Sequence, residues 1–192
     1  NRSHTFGRYY EKGNFIDTIK IPIPGLHNLS NITGAIAASR MVGVDFDDIK
    51  KNIKYLKLPK KRFELRGELN ARKIYDDYAH HPNEIKETLK SLKQITKKEI
   101  ITIFEPHRFS RFSAMMDNFI HCFKNSNQIF ILPVFSAGER KINKIDSAFF
   151  CKKLKEKYTE KNIYLSEYDN FFFDKLKEKM TPGNNIIFLG AG

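Results

Sequence analysis

Cysteine is nearly absent from this chain. Cys122 and Cys151 are its only two, they form no CxxC pair, and both fall in apolar helical patterns. They read as buried free thiols in a reducing, cytoplasmic setting. No run of about 18 apolar residues occurs, so no segment reads as membrane-spanning. The opening residues Asn1-Arg2-Ser3-His4 have no apolar stretch behind them, and no secretory leader is recognisable. An initiator methionine is missing as well, so the chain is expected to begin inside a longer protein. No internal repeat and no low-complexity segment is found.

Acidic charge is also in short supply. The 192 residues carry 34 Lys and Arg against 22 Asp and Glu, a formal +12. Such a surplus suits a basic module that binds polyanions or a partner protein. The lysines, however, are spread over several helical patterns (Lys86, Lys90 and Lys93; Lys152, Lys153, Lys155 and Lys157; Lys175, Lys177 and Lys179). They form no dense stripe interleaved with aromatics, and a solvated Lys-rich surface accounts for them without nucleic acid. Seventeen phenylalanines supply large groups for a core.

Patterning divides the chain near Leu58-Pro59. Before it, Phe6–Tyr10 and Phe15–Ile21 alternate like half-buried strands. A small-residue helix is expected from Asn31 to about Val44, stopped near Gly43. Another is expected from Asp45 to about Leu56, with Asp47 and Asp48 in its first turn as the helix dipole favours. Beyond the boundary, strand and helix alternate. Phe63–Leu69 and Arg72–Asp76 read as a hairpin. Apolar runs at Ile100–Phe104, Gln128–Leu132, Asn162–Leu165 and Asn185–Leu189 read as strands, and the segments 82–95, 109–123, 146–158 and 170–180 as helices. Repeated βα units predict a mostly parallel sheet flanked by helices, an α/β fold. The final Gly190-Ala-Gly192 directly follows a strand, so the C-terminus too is expected to continue.

Chemistry-bearing residues gather where strands end and helices begin, the edge at which open α/β sheets bind ligands. Asp76-Asp77-Tyr78-Ala79-His80-His81-Pro82 places two carboxylates, a phenol and two imidazoles there. Pro82 suits the first position of a helix, which puts both histidines at a helix N-terminus, where neutral imidazole is favoured and anions are attracted. Two His and two Asp are ligand types for a metal, but adjacent histidines point apart and the spacing matches no HExxH pattern, so no resident metal is assigned. Glu105-Pro106-His107-Arg108-Phe109-Ser110-Arg111 repeats the arrangement, with two arginines able to clamp a phosphate or carboxylate. In Gly25-Leu26-His27-Asn28-Leu29-Ser30-Asn31, the asparagines are natural helix caps and can equally read the edge of an adenine. Lys60-Lys61-Arg62-Phe63 is either a solvated linker or a basic hinge. Val134–Arg140 follows another strand and could serve as a substrate-side loop.

Taken in order, Gly25-x-His27-Asn28-x-x-Asn31, Arg62-Phe63, Asp76–Pro82 and Pro106–Arg111 resemble the Mur ligases of peptidoglycan synthesis, over nearly the whole chain. Order and spacing look like the alanine-adding branch. The competing branch is the recycling ligase that attaches a murein tripeptide to the same UDP-N-acetylmuramate. The resemblance implies the C-terminal part of a central ATP-binding domain over 1–57 and the family's Rossmann-like C-terminal domain over 58–192. It implies a cytoplasmic ligase that uses ATP and Mg²⁺ to join L-alanine to UDP-N-acetylmuramate through an acyl phosphate, with no membrane or nucleic-acid partner. Residue by residue, it implies that His27, Asn28 and Asn31 meet the adenine, Arg62 the phosphates and Asp77 the ribose. Tyr78, His80 and Arg111 would line the amino-acid and acyl-phosphate side. Two departures stand out. The family's GxxGKT/S phosphate loop is not in this sequence, and Leu26 occupies a position where a polar residue is expected. The main Mg²⁺ and phosphate ligands, and the UDP-binding region, are therefore expected in segments the chain does not contain, and the 192 residues alone are expected not to ligate.

Overall fold

A computed structural model describes residues 4–143 and 145–191. The chain falls into two compact units, Asn1–Pro59 with Lys90–Ile95, and Lys60–Leu89 with Thr96–Gly192.

In the first unit, β1 (Thr5–Glu11) and β2 (Asn14–Ile21) form an antiparallel hairpin. Its turn uses positive φ at Lys12 and Gly13. The inward residues Tyr9, Ile19 and Ile21 pack with Ile23, with Ile36 of α1 (Leu26–Met41) and with Phe46 of α2 (Phe46–Asn52). Tyr9 and Phe46 stack with ring centroids 5.4 Å apart. Asp45 caps α2 by accepting the Asp47 N–H, and Asp47 and Asp48 fill its first turn. α1 begins five residues before the Asn31 expected from the pattern. The punctuation Pro22-Ile-Pro-Gly25 is itself the helix start, because Gly25 at φ 103° makes the sharp entry that a residue with a Cβ resists. Asn28 and Asn31 consequently lie inside the helix and cap nothing. Val42 and Gly43 end the helix where the sequence indicates.

The second unit is a six-stranded sheet in the order β3-β4-β8-β5-β6-β7, comprising β3 (Glu64–Leu69), β4 (Arg72–Asp77), β5 (Ile100–Phe104), β6 (Gln128–Ile131), β7 (Asn162–Leu165) and β8 (Asn185–Leu189). Only β3 runs antiparallel, as one arm of a hairpin with β4. Steps from β4 to β5, β6 and β7 move one way across the sheet, so right-handed crossovers place their helices on one face. The return from β7 to β8 reverses direction and puts α7 (Asn170–Lys179) on the other. The core agrees. Phe104 of β5 packs with Phe119, Phe123 and Phe150, and Phe112 joins the same group. On the opposite face Phe172 and Leu176 of α7 cover Ile101, Ile103, Phe130, Leu132 and Ile186. The helix expected over 109–123 is instead two, α4 (Phe109–Ala114) and α5 (Met116–His121), broken at Met115 with φ −120° and ψ 20°. α3 (Pro82–Ile95) and α6 (Ser147–Lys157) match their patterns. The cap of α6 is Asp146, which accepts the Phe149 N–H, whereas the Ser147 hydroxyl donates to the Leu132 carbonyl.

Candidate functional site

The parallel strands β4, β8, β5 and β6 end along one edge of the sheet, and their loops carry the clusters marked out in the sequence. Alternation along β4 separates the two carboxylates. Asp77 shares a register row with Leu189 and Phe104 and therefore points to the α3 side. One of its oxygens accepts the Ala79 N–H at 2.8 Å, and the other accepts the Phe63 N–H at 2.8 Å and the Thr88 hydroxyl at 3.2 Å. Burial pushes its pKa up, and these donors with the Arg62 charge only partly pull it back. At 5% exposure the carboxylate ties the Lys61–Phe63 segment and the Tyr78–Ala79 turn to α3. Asp76 points the other way. It borders a cleft of about 400 Å³ with Glu105, Tyr168 and Gly190, floored by Ile74, Ile103 and Phe188. Burial raises the Glu105 pKa. Tyr168, which donates to Glu105, is pushed up to about 12 by burial and by that carboxylate.

The two histidines divide their work. The His81 ring nitrogen accepts the Asn83 N–H, so His81 caps α3. The His80 Nδ1 lies 2.8 Å from the Tyr78 carbonyl. A carbonyl can only accept, so Nδ1 carries the proton and Nε2 of a neutral His80 is left as a base. Glu84, in the first turn of α3, sits beneath both. It accepts the His80 and His81 backbone N–H groups, lies 3.8 Å from the His80 ring nitrogen and 3.7 Å from the Arg62 guanidinium. Burial works to raise the Glu84 pKa, but the two backbone N–H bonds, with His80 and Arg62 close by, outweigh it, and the net shift is downward. Tyr78 meets the His80 ring edge-on at 5.1 Å, and the Arg62 guanidinium lies 5.9 Å from the Tyr78 ring centre. Arg62, Tyr78, His80 and Glu84 thus form one group.

The loop after β5 joins this group through His107, whose ring centroid is 6.0 Å from that of His80. On its other side His107 lies against Phe135, 5.2 Å away and nearly parallel. Burial lowers the His107 pKa, and the neighbouring Arg111, His80 and Arg108 add to the effect. Two nitrogens here are buried with no hydrogen-bond partner in the structure, Nδ1 of His107 and Nη1 of Arg111. Buried polar atoms are ordinarily paired. A nearby cationic donor of this kind suits an incoming carboxylate or phosphate oxygen.

Of the residues marked in the sequence, Arg62, Asp77, Tyr78, His80 and Arg111 belong to the second unit. His27, Asn28 and Asn31 belong to the first. There Asn28 is buried and donates to the Pro24 carbonyl at 2.8 Å, His27 is half-buried, and Asn31 is exposed on α1. Sequence reasoning marked the stretches that hold His107 and Glu139 but gave no individual role to His107, Glu84 or Glu139. Glu84 was legible as the third helical residue after a cap. Glu139 carries no local signal, because its contacts depend on β6 lying beside β5. Among the described residues no group of three His, Cys, Asp or Glu side chains could hold a metal ion. No helix among them is long and apolar enough to cross a membrane.

Comparison with known proteins bears on the family and the fold. The family profile described as Mur ligase, glutamate ligase domain, matches residues 61–192. A UDP-N-acetylmuramate–L-alanine ligase of Prochlorococcus marinus subsp. pastoris is 48% identical across the whole chain, and one from Pelotomaculum thermopropionicum is 35% identical across the whole chain. The chain spans 42% and 41% of their lengths, respectively. Among solved structures, the UDP-N-acetylmuramate-alanine ligase of Thermotoga maritima superposes with a TM-score of 0.78 at 22% identity, covering all of this chain and 40% of that one. A murein peptide ligase of Psychrobacter arcticus superposes at 0.65 and 18% identity, covering 99% of this chain and 39% of that one. These two likenesses speak to the fold.

Proposed function

The chain belongs to the Mur ligase family, and from that premise we propose that it is part of an ATP-dependent ligase that joins L-alanine to UDP-N-acetylmuramate in the cytoplasm. The observation that carries the reading is the pair of buried, unpartnered nitrogens on His107 and Arg111, next to His80. In the proposed reaction ATP phosphorylates the muramate carboxylate, the alanine amine attacks the acyl phosphate, and phosphate leaves. Arg111 holds the alanine carboxylate. His80, with Nδ1–H anchored on the Tyr78 carbonyl, presents Nε2 to the amine and takes its proton, and Tyr78 walls the pocket. Arg62, held beside Glu84, meets the phosphates. Such a site works mainly by positioning and by neutralising charge. In this reading Asp77 fixes the turn from which Tyr78 and His80 project, because its oxygens already accept three bonds. His27, Asn28 and Asn31 are kept as the adenine side. The sequence holds no phosphate loop, and among the described residues no group of side chains forms a set of Mg²⁺ ligands. We assign those ligands to the part of the relatives that this chain does not cover.

The test is a ligation assay on the 192 residues fused to the remaining part of the Prochlorococcus marinus relative. UDP-N-acetylmuramate, ATP, Mg²⁺ and L-alanine are supplied, with the murein tripeptide as the rival amine. Alanine-dependent phosphate release is expected from the fusion and none from the 192 residues alone. Release with the tripeptide and not with alanine would move the chain to the recycling reaction. A folded fusion silent with both would remove the ligase reading.

A further inference from the structure

α4 starts without a cap of its own. Its first residue is preceded by Arg108, which sits at φ 71° and ψ 123° and makes no side-chain capping bond. The first N–H groups of a helix lack intrahelical partners, and an uncapped six-residue helix frays readily. Here the missing acceptor arrives from another loop. Glu139, between β6 and α6, accepts the Ser110 backbone N–H at 2.9 Å through one oxygen and the Ser110 hydroxyl at 2.7 Å through the other. The second oxygen also lies 3.9 Å from the Arg108 guanidinium.

The loop that delivers Glu139 is bent to do so. Ala137 and Gly138 are consecutive left-handed residues, at φ 50° and 84°, and the Glu139 N–H closes the turn on the Ser136 carbonyl. A left-handed alanine is a conformation that surrounding structure must enforce. Just upstream the same loop holds Phe135 flat against His107. Two backbone bonds, Arg108 N–H to the Phe135 carbonyl and Phe135 N–H to the Pro106 carbonyl, lock that contact. One loop thus grips both sides of the Pro106–Arg111 segment.

We propose that Glu139 is a positioning residue for the amino-acid pocket: it caps α4 through Ser110, engages Arg108, and so leaves Arg111 aligned, with its Nη1 unpartnered, for the incoming carboxylate. The inference rests on the ligase reading of the same site. A carboxylate placed beside an anion-binding arginine would ordinarily quench it. Both Glu139 oxygens are bonded to Ser110, and the ion pair they approach is with Arg108, whereas Nη1 of Arg111 remains without a partner. The two Ser110 bonds lower the Glu139 pKa, burial opposes them, and the Arg108 and Arg111 charges add lesser pulls downward.

The experiment uses the fused ligase described above and measures kcat, the KM for L-alanine and the KM for UDP-N-acetylmuramate. Glu139→Ala is expected to raise the KM for L-alanine on the order of tenfold to a hundredfold, as a small misplacement of a clamping group does. The KM for UDP-N-acetylmuramate is expected to move less than about threefold. Glu139→Gln retains an acceptor for Ser110 and is expected to recover most of the loss, a rescue that general unfolding would not show. If Glu139→Ala does not fold by circular dichroism, Ser110→Ala takes its place, with a several-fold rise in the same KM. Variants that bind alanine as the parent does, or that raise both KM values equally, overturn the proposal and leave the ligase reading standing. A parent fusion without alanine-dependent phosphate release removes the ligase reading, and this inference falls with it.

Discussion

The rings of His80 and His107 stand 6.0 Å apart although they follow β4 and β5, two strands separated in the sheet by β8. His107 is held there by Phe135 and surrounded by the cations Arg111 and Arg108 and by His80, with Glu139 as the opposing charge. Burial comes first among the causes that lower its pKa from 6.5, and the cationic neighbours follow. His107 is therefore neutral at pH 7. A depressed folded-state pKa means that the unfolded chain binds the extra proton first, so His107 costs stability as the pH falls through 6.5 toward its folded value. Observed by NMR, the His107 ring should titrate below 6.5, and Arg111→Gln should move the midpoint upward. A midpoint at or above 6.5 in the parent would contradict the placement.

Arg111 supplies the second expectation. Its Nη1 is buried and unbonded, so its removal deprives the protein of no internal hydrogen bond at that atom. In the fused ligase Arg111→Ala should leave the fold intact and lower kcat/KM for alanine on the order of a hundredfold, the scale of losing a charge-assisted bond to a carboxylate. Arg111→Lys should recover little, since a point charge does not reproduce the planar fork. Full activity in Arg111→Ala would take the carboxylate from this residue.

Much of this was legible from local pattern. Alternating apolar strands and amphipathic helices announced the parallel sheet. Asp45, Asp47 and Asp48 marked a helix start, and Pro82 marked another. What local pattern does not encode is the partner of each strand. The last strand, β8, inserts between β4 and β5, and the loops after β4 and β5 meet across it. The run Asp76–His81 read as one cluster, yet the pleat sends Asp76 and Asp77 to opposite faces, and His81 is spent on capping α3. The loop holding Glu139 was marked, but the role of Glu139 was not legible for the same reason: its work is done on Ser110, far away in sequence.

Asp77 tests the structural side of the site. Asp77→Ala would leave the Phe63 and Ala79 N–H groups and the Thr88 hydroxyl without their acceptor in a buried place. Urea unfolding should show a loss of about 2–4 kcal/mol, and Asp77→Asn, which keeps one acceptor, about 1 kcal/mol. The pH dependence has the opposite sign to that of His107. Burial raises the Asp77 pKa, so the ionised form is a burden above the folded pKa that is relieved as pH falls through it. A stability profile of Asp77→Asn parallel to the parent between pH 3 and 6 would count against this assignment.

Phe150 connects the core to the site. It is completely buried on α6, with ring centroids 5.0 Å from Phe112 and 6.2 Å from both Phe104 and Phe123. Phe112 is the neighbour of Arg111 on α4, and Phe104 ends the strand that leads to His107. Because interiors are close-packed, emptying the Phe150 position leaves a cavity that this aromatic cluster fills only in part. Phe150→Ala should cost about 3–5 kcal/mol in urea or thermal unfolding, and Phe150→Leu less, since most of the volume is retained. If α4 is held from below by this cluster and from above by Glu139, Phe150→Leu should also raise the KM for alanine in the fused ligase while the fold persists. A Phe150→Leu variant that is measurably destabilised yet binds alanine as the parent does would show that the cap alone sets the position of α4.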